Sequence, residues 1–430
     1  MIKFIEKILA SLAKKILKKY QPEIIGITGS VGKTSTKEAI FTVLKNKYNA
    51  RANPGNYNNE LGVPLTIIDS KTAGRNFLRW LPVFFKAWKL ILKKDKNYPE
   101  ILVLEMAAAH SGDIKYLINI APCKVGVVTT VGPSHMEFFK DIKNVIKEKE
   151  KIVTHIKNGW AVLNADDDLV MSIQKNTRAK VLTYGLSKNA DVCAQDINYE
   201  ADGSGVSCKI IINNQQSIIN NKKNNADFKN VLSSGQMSSI LAAISVGLIY
   251  DIPLAQAVSS LKDFRFPSGR LNLIKGIKNT FIIDDTYNSS PKAVKVALEV
   301  LSRIECAGRR WAVLGDMLEL GGLTETTHQE VGEWVKQFKV DILICVGEKM
   351  TTAAQVAENG ELALVKEKVI CFDNSDEVKK FIQNEISQGD LILVKGSQGM
   401  RMEKIVKEIM AEPQRAEELL VRQNKKWLRK

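Results

Sequence analysis

Residues 26–37 read Gly-Ile-Thr-Gly-Ser-Val-Gly-Lys-Thr-Ser-Thr-Lys, set between the apolar pair Ile24-Ile25 and the run Glu38-Ala39-Ile40-Phe41-Thr42-Val43-Leu44. That order predicts strand, glycine-rich loop and helix, a joint that aims backbone N–H groups and a helix N-terminus at phosphate. Thr28, Gly29, Ser30, Val31, Gly32, Lys33, Thr34 and Ser35 are the candidate phosphate-binding residues. Lys33 would reach the outer phosphates and the Thr34 hydroxyl would hold a magnesium ion. The common pattern has a glycine five residues before Gly32, where this chain has Ile27. A turn that needs small residues only for packing would explain the glycines, but not Gly-Lys-Thr between a strand and a helix.

The chain has 430 residues, enough for two or three domains with substantial cores. Its formal net charge of +15 suits polyanionic partners: nucleotides, nucleic acid or an anionic membrane surface. No nucleic-acid recognition motif accompanies the charge, so none is expected as a partner. Cys123, Cys193, Cys208, Cys306, Cys345 and Cys371 are scattered without a CxxC pair, which points away from zinc knuckles and disulfide frameworks and toward a reducing cytoplasm.

Lysines recur through residues 3–19, so no apolar signal segment is expected. Ile2, Ile5, Leu9, Leu12, Ile16 and Leu17 share a helical face with lysines mostly elsewhere, giving a basic amphipathic helix over 1–22. It suits an anionic membrane surface or packing on the domain or a partner. Residues 77–92, FLRWLPVFFKAWKLIL, are too short and too charged to span a bilayer. They read as an interfacial helix, a docking surface or a buried helix pair.

Residues 23–170 alternate strand and helix signals, with Ile101–Leu104 and Val125–Val128 as buried parallel strands. Residues 180–225 predict a small antiparallel insert around Gly203 and Gly205, and helix returns over 238–250. Phe266-Pro267-Ser268-Gly269-Arg270 reads as a hinge; beyond it lie candidate strands 281–283, 311–314, 342–346 and 391–394. The fold class expected is α/β: a central phosphate-loop ATPase domain with a small β-insert over 23–265, then a Rossmann-like domain over 266–411. A charged helical tail is expected over 412–430.

Four clusters add chemistry. Asn56, Asn58 and Asn59, in an Asn-rich loop, have amides suited to phosphate or sugar. Glu105 follows a strand and is placed for magnesium. His135 follows the strand 125–130 as a metal-ligand candidate, ahead of Lys147, Lys149 and Lys151. In the second half, Asp284 or Asp285 could hold ribose, Tyr287 could stack on a base, and Arg270 could reach a phosphoryl group if two lobes close.

These segments resemble the Mur ligases. The matching stretches include ITGSVGKTSTKE (27–38), NYNNELGVPLTII (56–68), LEMAAAHSGDIKYL (104–117), VGPSHMEFF (131–139), PSGRLNLI (267–274), IIDDTYNSSPKAV (282–294), AVLGDMLELG (312–321) and ILVKGSQGMRMEKIV (392–406). The last two resemble most the type that adds D-alanyl-D-alanine to UDP-N-acetylmuramoyl-tripeptide in peptidoglycan synthesis. The resemblance implies an ATP-dependent amide ligase working through an acyl phosphate. It implies Lys33 on the ATP phosphates, Thr34 and Glu105 on one magnesium, and His135 with a carbamoylated Lys149 on a second. Arg270 would touch the γ-phosphate, Asp285 and Tyr287 the nucleoside, and Gln236 would stand in for a His/Asn near the adenine. Lys395 and Ser397 would face the substrate.

Against the family pattern, only about two dozen residues precede the phosphate loop, so the usual N-terminal uridine-binding domain is expected to be absent. The acceptor could then be met at a membrane or with a partner protein. A different carboxylate acceptor and an inactive nucleotide-binding scaffold are the competing readings. A cytoplasmic monomer, peripheral on the membrane's inner face, is the expectation.

Overall fold

The computed structural model describes residues 2–74, 76–132, 136–213, 223–360, 364, 368–424 and 427. The chain forms two compact units. One comprises Met1–Ile197, Ser207–Phe228 and Ser234–Phe264, the other Asn198–Val206, Lys229–Ser233 and Arg265–Lys430.

The first unit is built on a nine-stranded sheet: β1 (Glu23–Thr28), β2 (Ala50–Ala52), β3 (Ile101–Glu105), β4 (Val125–Val128), β5 (Trp160–Asn164), β6 (Lys180–Gly185), β7 (Val192–Tyr199), β8 (Gly205–Ile212) and β9 (Lys223–Lys229), in the order β2-β3-β1-β4-β5-β6-β7-β8-β9. β1 pairs in parallel with β3 and β4, so Ile27 lies opposite Glu105 and Thr28 opposite Val128. The C-terminal ends of three adjacent strands therefore share one edge, where an open α/β sheet presents its ligand-binding loops. Ile24, Ile25 and Ile27 are buried, as the apolar run requires of a strand covered on both faces.

The segment expected as a small insert runs on from this sheet rather than standing apart. Tyr184 and Gly185 of β6 pair in parallel with Val192 and Cys193 of β7. β9 alternates buried and open side chains at its second half, the pattern of a half-covered strand. Residues 214–222 of the expected insert lie outside the described residues.

α1 (Ile2–Tyr20) lies against α3 (Gly62–Ile68), α4 (Leu81–Leu92) and α5 (Asp113–Ile120). Ile5, Leu9, Leu12, Ala13 and Ile16 are buried there, so the apolar face of α1 is part of the core. The Lys19 ammonium donates to Leu90 O (3.0 Å) and Ile91 O (2.8 Å), capping the last carbonyls of α4. Tyr20 stacks on Tyr98 with ring centroids 4.1 Å apart. Among the described residues no helix is long and apolar enough to cross a membrane.

The second unit has a six-stranded sheet in the order β10-β11-β15-β12-β13-β14, formed by β10 (Asn272–Lys275), β11 (Phe281–Asp285), β12 (Arg310–Gly315), β13 (Ile342–Val346), β14 (Val369–Phe372) and β15 (Leu391–Lys395). All neighbours pair in parallel except β10. Apolar clusters cover both faces. The four predicted strands are present; β10 and β14 are four-residue strands with partly open faces, which is why they do not stand out as apolar runs.

The described residues of the tail depart from the expected helix. They form a 3-10 turn at Pro413–Arg415 and a single helical turn at Ala416–Leu419, after which Leu420 is extended. The Arg422 guanidinium donates to the carbonyls of Thr286 and Tyr287 and to Glu403, drawing the tail onto the loop after β11. Those tertiary bonds outweigh helix propensity.

Candidate active site

The loop after β1 turns at two glycines, Gly29 (φ +151°) and Gly32 (φ +86°). A Cβ on Gly29 would stand 1.9 Å from the Thr129 hydroxyl, so the position admits no larger residue without a shift. The end of β4 pins the loop. Ser30 N donates to Thr130 O (2.8 Å), Val31 N to the Thr130 hydroxyl (3.0 Å), and the Thr129 hydroxyl to Val31 O (2.6 Å). The helix α2 (Lys33–Leu44) then starts at Gly32 with no side-chain cap, leaving its first N–H groups oriented for an anion. Val31 is exposed at the tip and Ser35 is buried in the first turn. Thr28 is buried and donates to Met106 O (2.8 Å), tying β1 to the end of β3.

Lys33 reaches back across the loop, its ammonium 2.8 Å from Gly29 O and 3.1 Å from Ser30 O. Thr34, next in the chain, donates its hydroxyl to the Glu105 carboxylate at 2.9 Å. The other Glu105 oxygen accepts from the Asn58 amide at 2.8 Å. The loop, the strand-end carboxylate and one asparagine of the Asn-rich segment thus meet. Asn59 instead caps a helix, its side-chain oxygen accepting from Gly62 N (3.0 Å) at the start of α3. Asn56 is exposed.

Two residues that sequence reasoning did not single out hold this arrangement. Asn53 is fully buried. Its side-chain oxygen accepts from Glu105 N (2.8 Å) and its amide donates to Glu105 O (3.1 Å) and Tyr57 O (2.7 Å). Lys37 of α2, also fully buried, donates to Asn53 O at 2.5 Å and pairs with Glu38 at 2.8 Å. An asparagine three residues ahead of Asn56, just beyond β2, was the available signal.

Of the three candidate lysines after His135, Lys147 is exposed and Lys151 pairs with Glu148 at 2.5 Å. Lys149 is buried and donates to Gly29 O at 2.9 Å, the same carbonyl that Lys33 uses. Burial first, and the neighbouring Lys33 charge second, bring its pKa down to about 7. Glu148 is turned away to Gly112 N (2.9 Å) and Ile114 N (2.8 Å), at the start of α5. His135 lies outside the described residues. Gln236 is buried in the first turn of the helix Ser234–Ile249, which packs along α2; one turn on, Ser239 accepts from the Thr36 hydroxyl at 3.2 Å.

In the second unit, Asp285 and Lys395 end two paired strands in register and form an ion pair at 2.5 Å. Lys395 also donates to Asn288 O (3.0 Å). The Arg270 guanidinium lies 3.9 Å from the Tyr287 ring centroid. Gly269 O accepts from Tyr287 N (3.1 Å), and Gly269 N donates to Asp284 (3.1 Å). Burial raises the Asp284 carboxyl to about 7, against the opposing donors Thr286 and Gly269. Ser397 joins two motifs: its hydroxyl oxygen accepts from Leu318 N (2.9 Å) and its N–H donates to Asp316 O (3.1 Å).

The Thr34 hydroxyl and Glu105 carboxylate are hard oxygen donors at one point beside the loop, which fits magnesium bound through a carboxylate and substrate phosphates. Among the described residues no group of three or more His, Cys, Asp and Glu is gathered as an all-protein metal cage.

The Mur ligase middle domain matches residues 27–78 and 86–245, and the Mur ligase glutamate ligase domain matches 269–398. The UDP-N-acetylmuramoyl-tripeptide–D-alanyl-D-alanine ligase of Bacillus subtilis is 30% identical over 405 residues, covering 94% of this chain and 79% of that protein. The ligase of the same name from Mycobacterium tuberculosis is 28% identical, covering 90% and 73%. The crystal structure of the Thermotoga maritima MurF ligase in complex with ADP superposes with a TM-score of 0.75 at 28% identity, over 94% of this chain and 83% of that one. MurF from Acinetobacter baumannii, at 24% identity and a TM-score of 0.75 over 93% and 79%, shares the fold. This chain belongs to the Mur ligase family.

Proposed function

We propose that the chain is an ATP-dependent amide ligase that joins D-alanyl-D-alanine to UDP-N-acetylmuramoyl-tripeptide, a step of peptidoglycan precursor synthesis. The observation that carries the reading is the meeting of Lys33, Thr34 and Glu105 at the loop after β1, in a chain similar along 94% of its length to a ligase of that name.

A carboxylate is inert to amines until an oxygen becomes a leaving group. The tripeptide's terminal carboxylate attacks the γ-phosphorus of ATP, ADP departs, and an acyl phosphate remains. The amine of D-alanyl-D-alanine adds to its carbonyl; the tetrahedral adduct expels phosphate and the nitrogen loses a proton. The protein's part is positioning and charge neutralisation. Lys33 and the N–H groups of residues 29–34 hold the phosphates, and Arg270 meets the γ-phosphate. By the family resemblance Asp285, Tyr287 and Gln236 would serve the nucleoside, and Asn56, Asn58, Asn59, Lys395 and Ser397 the substrate.

Magnesium, held by Thr34 and Glu105, would supply charge neutralisation at the phosphates. A second ion on His135 and a carbamoylated Lys149 belongs to the same reading. The buried setting of Lys149 beside Gly29 supports it, since an amine must be neutral to take up carbon dioxide. A cytoplasmic monomer in peripheral contact with an anionic membrane or a partner protein belongs to the same reading.

The chemistry is testable by isotope. Tripeptide substrate labelled with heavy oxygen in its terminal carboxylate is expected to deliver one labelled oxygen to the released phosphate. Unlabelled phosphate alongside amide product would exclude the acyl phosphate.

A further inference from the structure

α4 has two faces with opposite fates. Val83, Ala87 and Leu90 are buried toward α1 and the core. Leu81, Phe85, Trp88 and Leu92 are exposed, by 51%, 74%, 47% and 78%. At about 100° per residue these four fall within an arc of about 60°, a continuous apolar stripe along three turns. Leu78, 68% exposed, lies just ahead of them in the chain. Single exposed apolar residues need no explanation, but an aligned row of large ones does.

The stripe is bordered by cations. Residues 81–96 contain five lysines and one acid, Asp95. Lys89, Lys93, Lys94 and Lys96 are exposed, and the Lys15 ammonium of α1 lies 5.5 Å from the Trp88 ring centroid. Lys86 is occupied by Asp69 at 2.7 Å. The family match passes over residues 79–85, so the start of this helix lies outside the shared ligase framework.

We infer that the Leu81–Phe85–Trp88–Leu92 face of α4 is the surface by which this protein docks on an anionic lipid bilayer. This rests on the peripheral membrane association proposed above and names its contact surface: of the two candidate segments, α1 has its apolar face in the core, which leaves α4. Phe and Trp side chains sit at the boundary of headgroups and acyl chains, while neighbouring lysines meet anionic headgroups. Lysine is depleted at protein–protein interfaces and favoured beside anionic lipid, so the border of this stripe selects lipid over a protein partner.

The test is vesicle flotation of the full chain, with phosphatidylcholine vesicles compared with mixed phosphatidylcholine–phosphatidylglycerol vesicles. Binding to the mixed vesicles, weakened by salt, is expected. The exposed-face variant Phe85→Ser/Trp88→Ser should lose roughly tenfold or more in binding, and Lys89→Gln/Lys93→Gln roughly fivefold per lysine. Circular dichroism and the lipid-free ligation rate should be unchanged in both, which separates this surface from the ligase reading. Absence of vesicle binding, or equal binding by the Phe85→Ser/Trp88→Ser variant, would overturn the inference. Self-association lost in that variant without vesicle binding would overturn it in favour of a second copy.

Discussion

Asn53 uses both ends of its side-chain amide on the backbone of Glu105, and Lys37 fastens it from α2. Asn53→Ala would strand a buried Glu105 N–H, at a cost of about 1–3 kcal/mol. A merely structural role would end there. If Asn53 positions the Glu105 carboxylate, the variant also needs more magnesium for half-maximal turnover; a magnesium titration unchanged from the parent protein would restrict Asn53 to stability. Lys149 gives a pH prediction. Its folded pKa of about 7 lies below the ordinary lysine value of 10.5. Between the two the unfolded chain binds a proton that the folded chain does not, so stability rises with pH across that window. Below it Lys149 is charged in both states and contributes no slope. With carbon dioxide and bicarbonate excluded, so that Lys149 is the free amine, urea unfolding at about pH 7 and about pH 9 should show this rise in the parent and a smaller one in Lys149→Met; equal slopes would contradict the burial argument. Lys33, Thr34 and Glu105 were legible because a loop motif and a strand end are local in sequence. Asn53 and Lys37 were not, because their roles rest on contacts between β2, α2 and β3 that no single stretch displays.

The two basic amphipathic segments show what periodicity can tell at the scale of the element. It identified a face on residues 1–22 and could not say what covers it; residues 77–92 stood out by their Trp and Phe content, without an assigned face. For α1 the cover is the core, with Leu9 and Ile16 fully buried. Leu9→Ala is therefore expected to cost about 2–5 kcal/mol, whereas Lys14→Ala on the open side should stay within about 0.5 kcal/mol. Chemical denaturation of both variants checks this; equal, small effects would mean that α1 is loosely attached. For α4 the outer half of an apolar, tryptophan-bearing helix is open. Strand signals were legible where an apolar run is unbroken, as in residues 101–104 of β3 and in β13. β10 and the sheet continuity from β6 to β7 depend on pairing partners instead.

At the scale of the whole molecule, motifs spread along both units carry the family assignment. Matched domains cover residues 27–78, 86–245 and 269–398, and the structural neighbour bound to ADP matches along 94% of the chain. The α/β class and the order of the motifs could be read from sequence because glycine-rich turns and buried strands punctuate the chain at regular intervals. The acceptor type was legible only through the resemblance of the stretches 312–321 and 392–406, since it depends on surfaces that bind a large substrate rather than on the shared chemistry of phosphate transfer. The most direct measurement is phosphate release with ATP, magnesium, UDP-N-acetylmuramoyl-tripeptide and D-alanyl-D-alanine, with mass spectrometry of the product. The pentapeptide conjugate is expected, with release dependent on the dipeptide and both signals lost in Lys33→Ala. ATP turnover indifferent to the dipeptide, or a substrate recovered unchanged, would contradict that expectation.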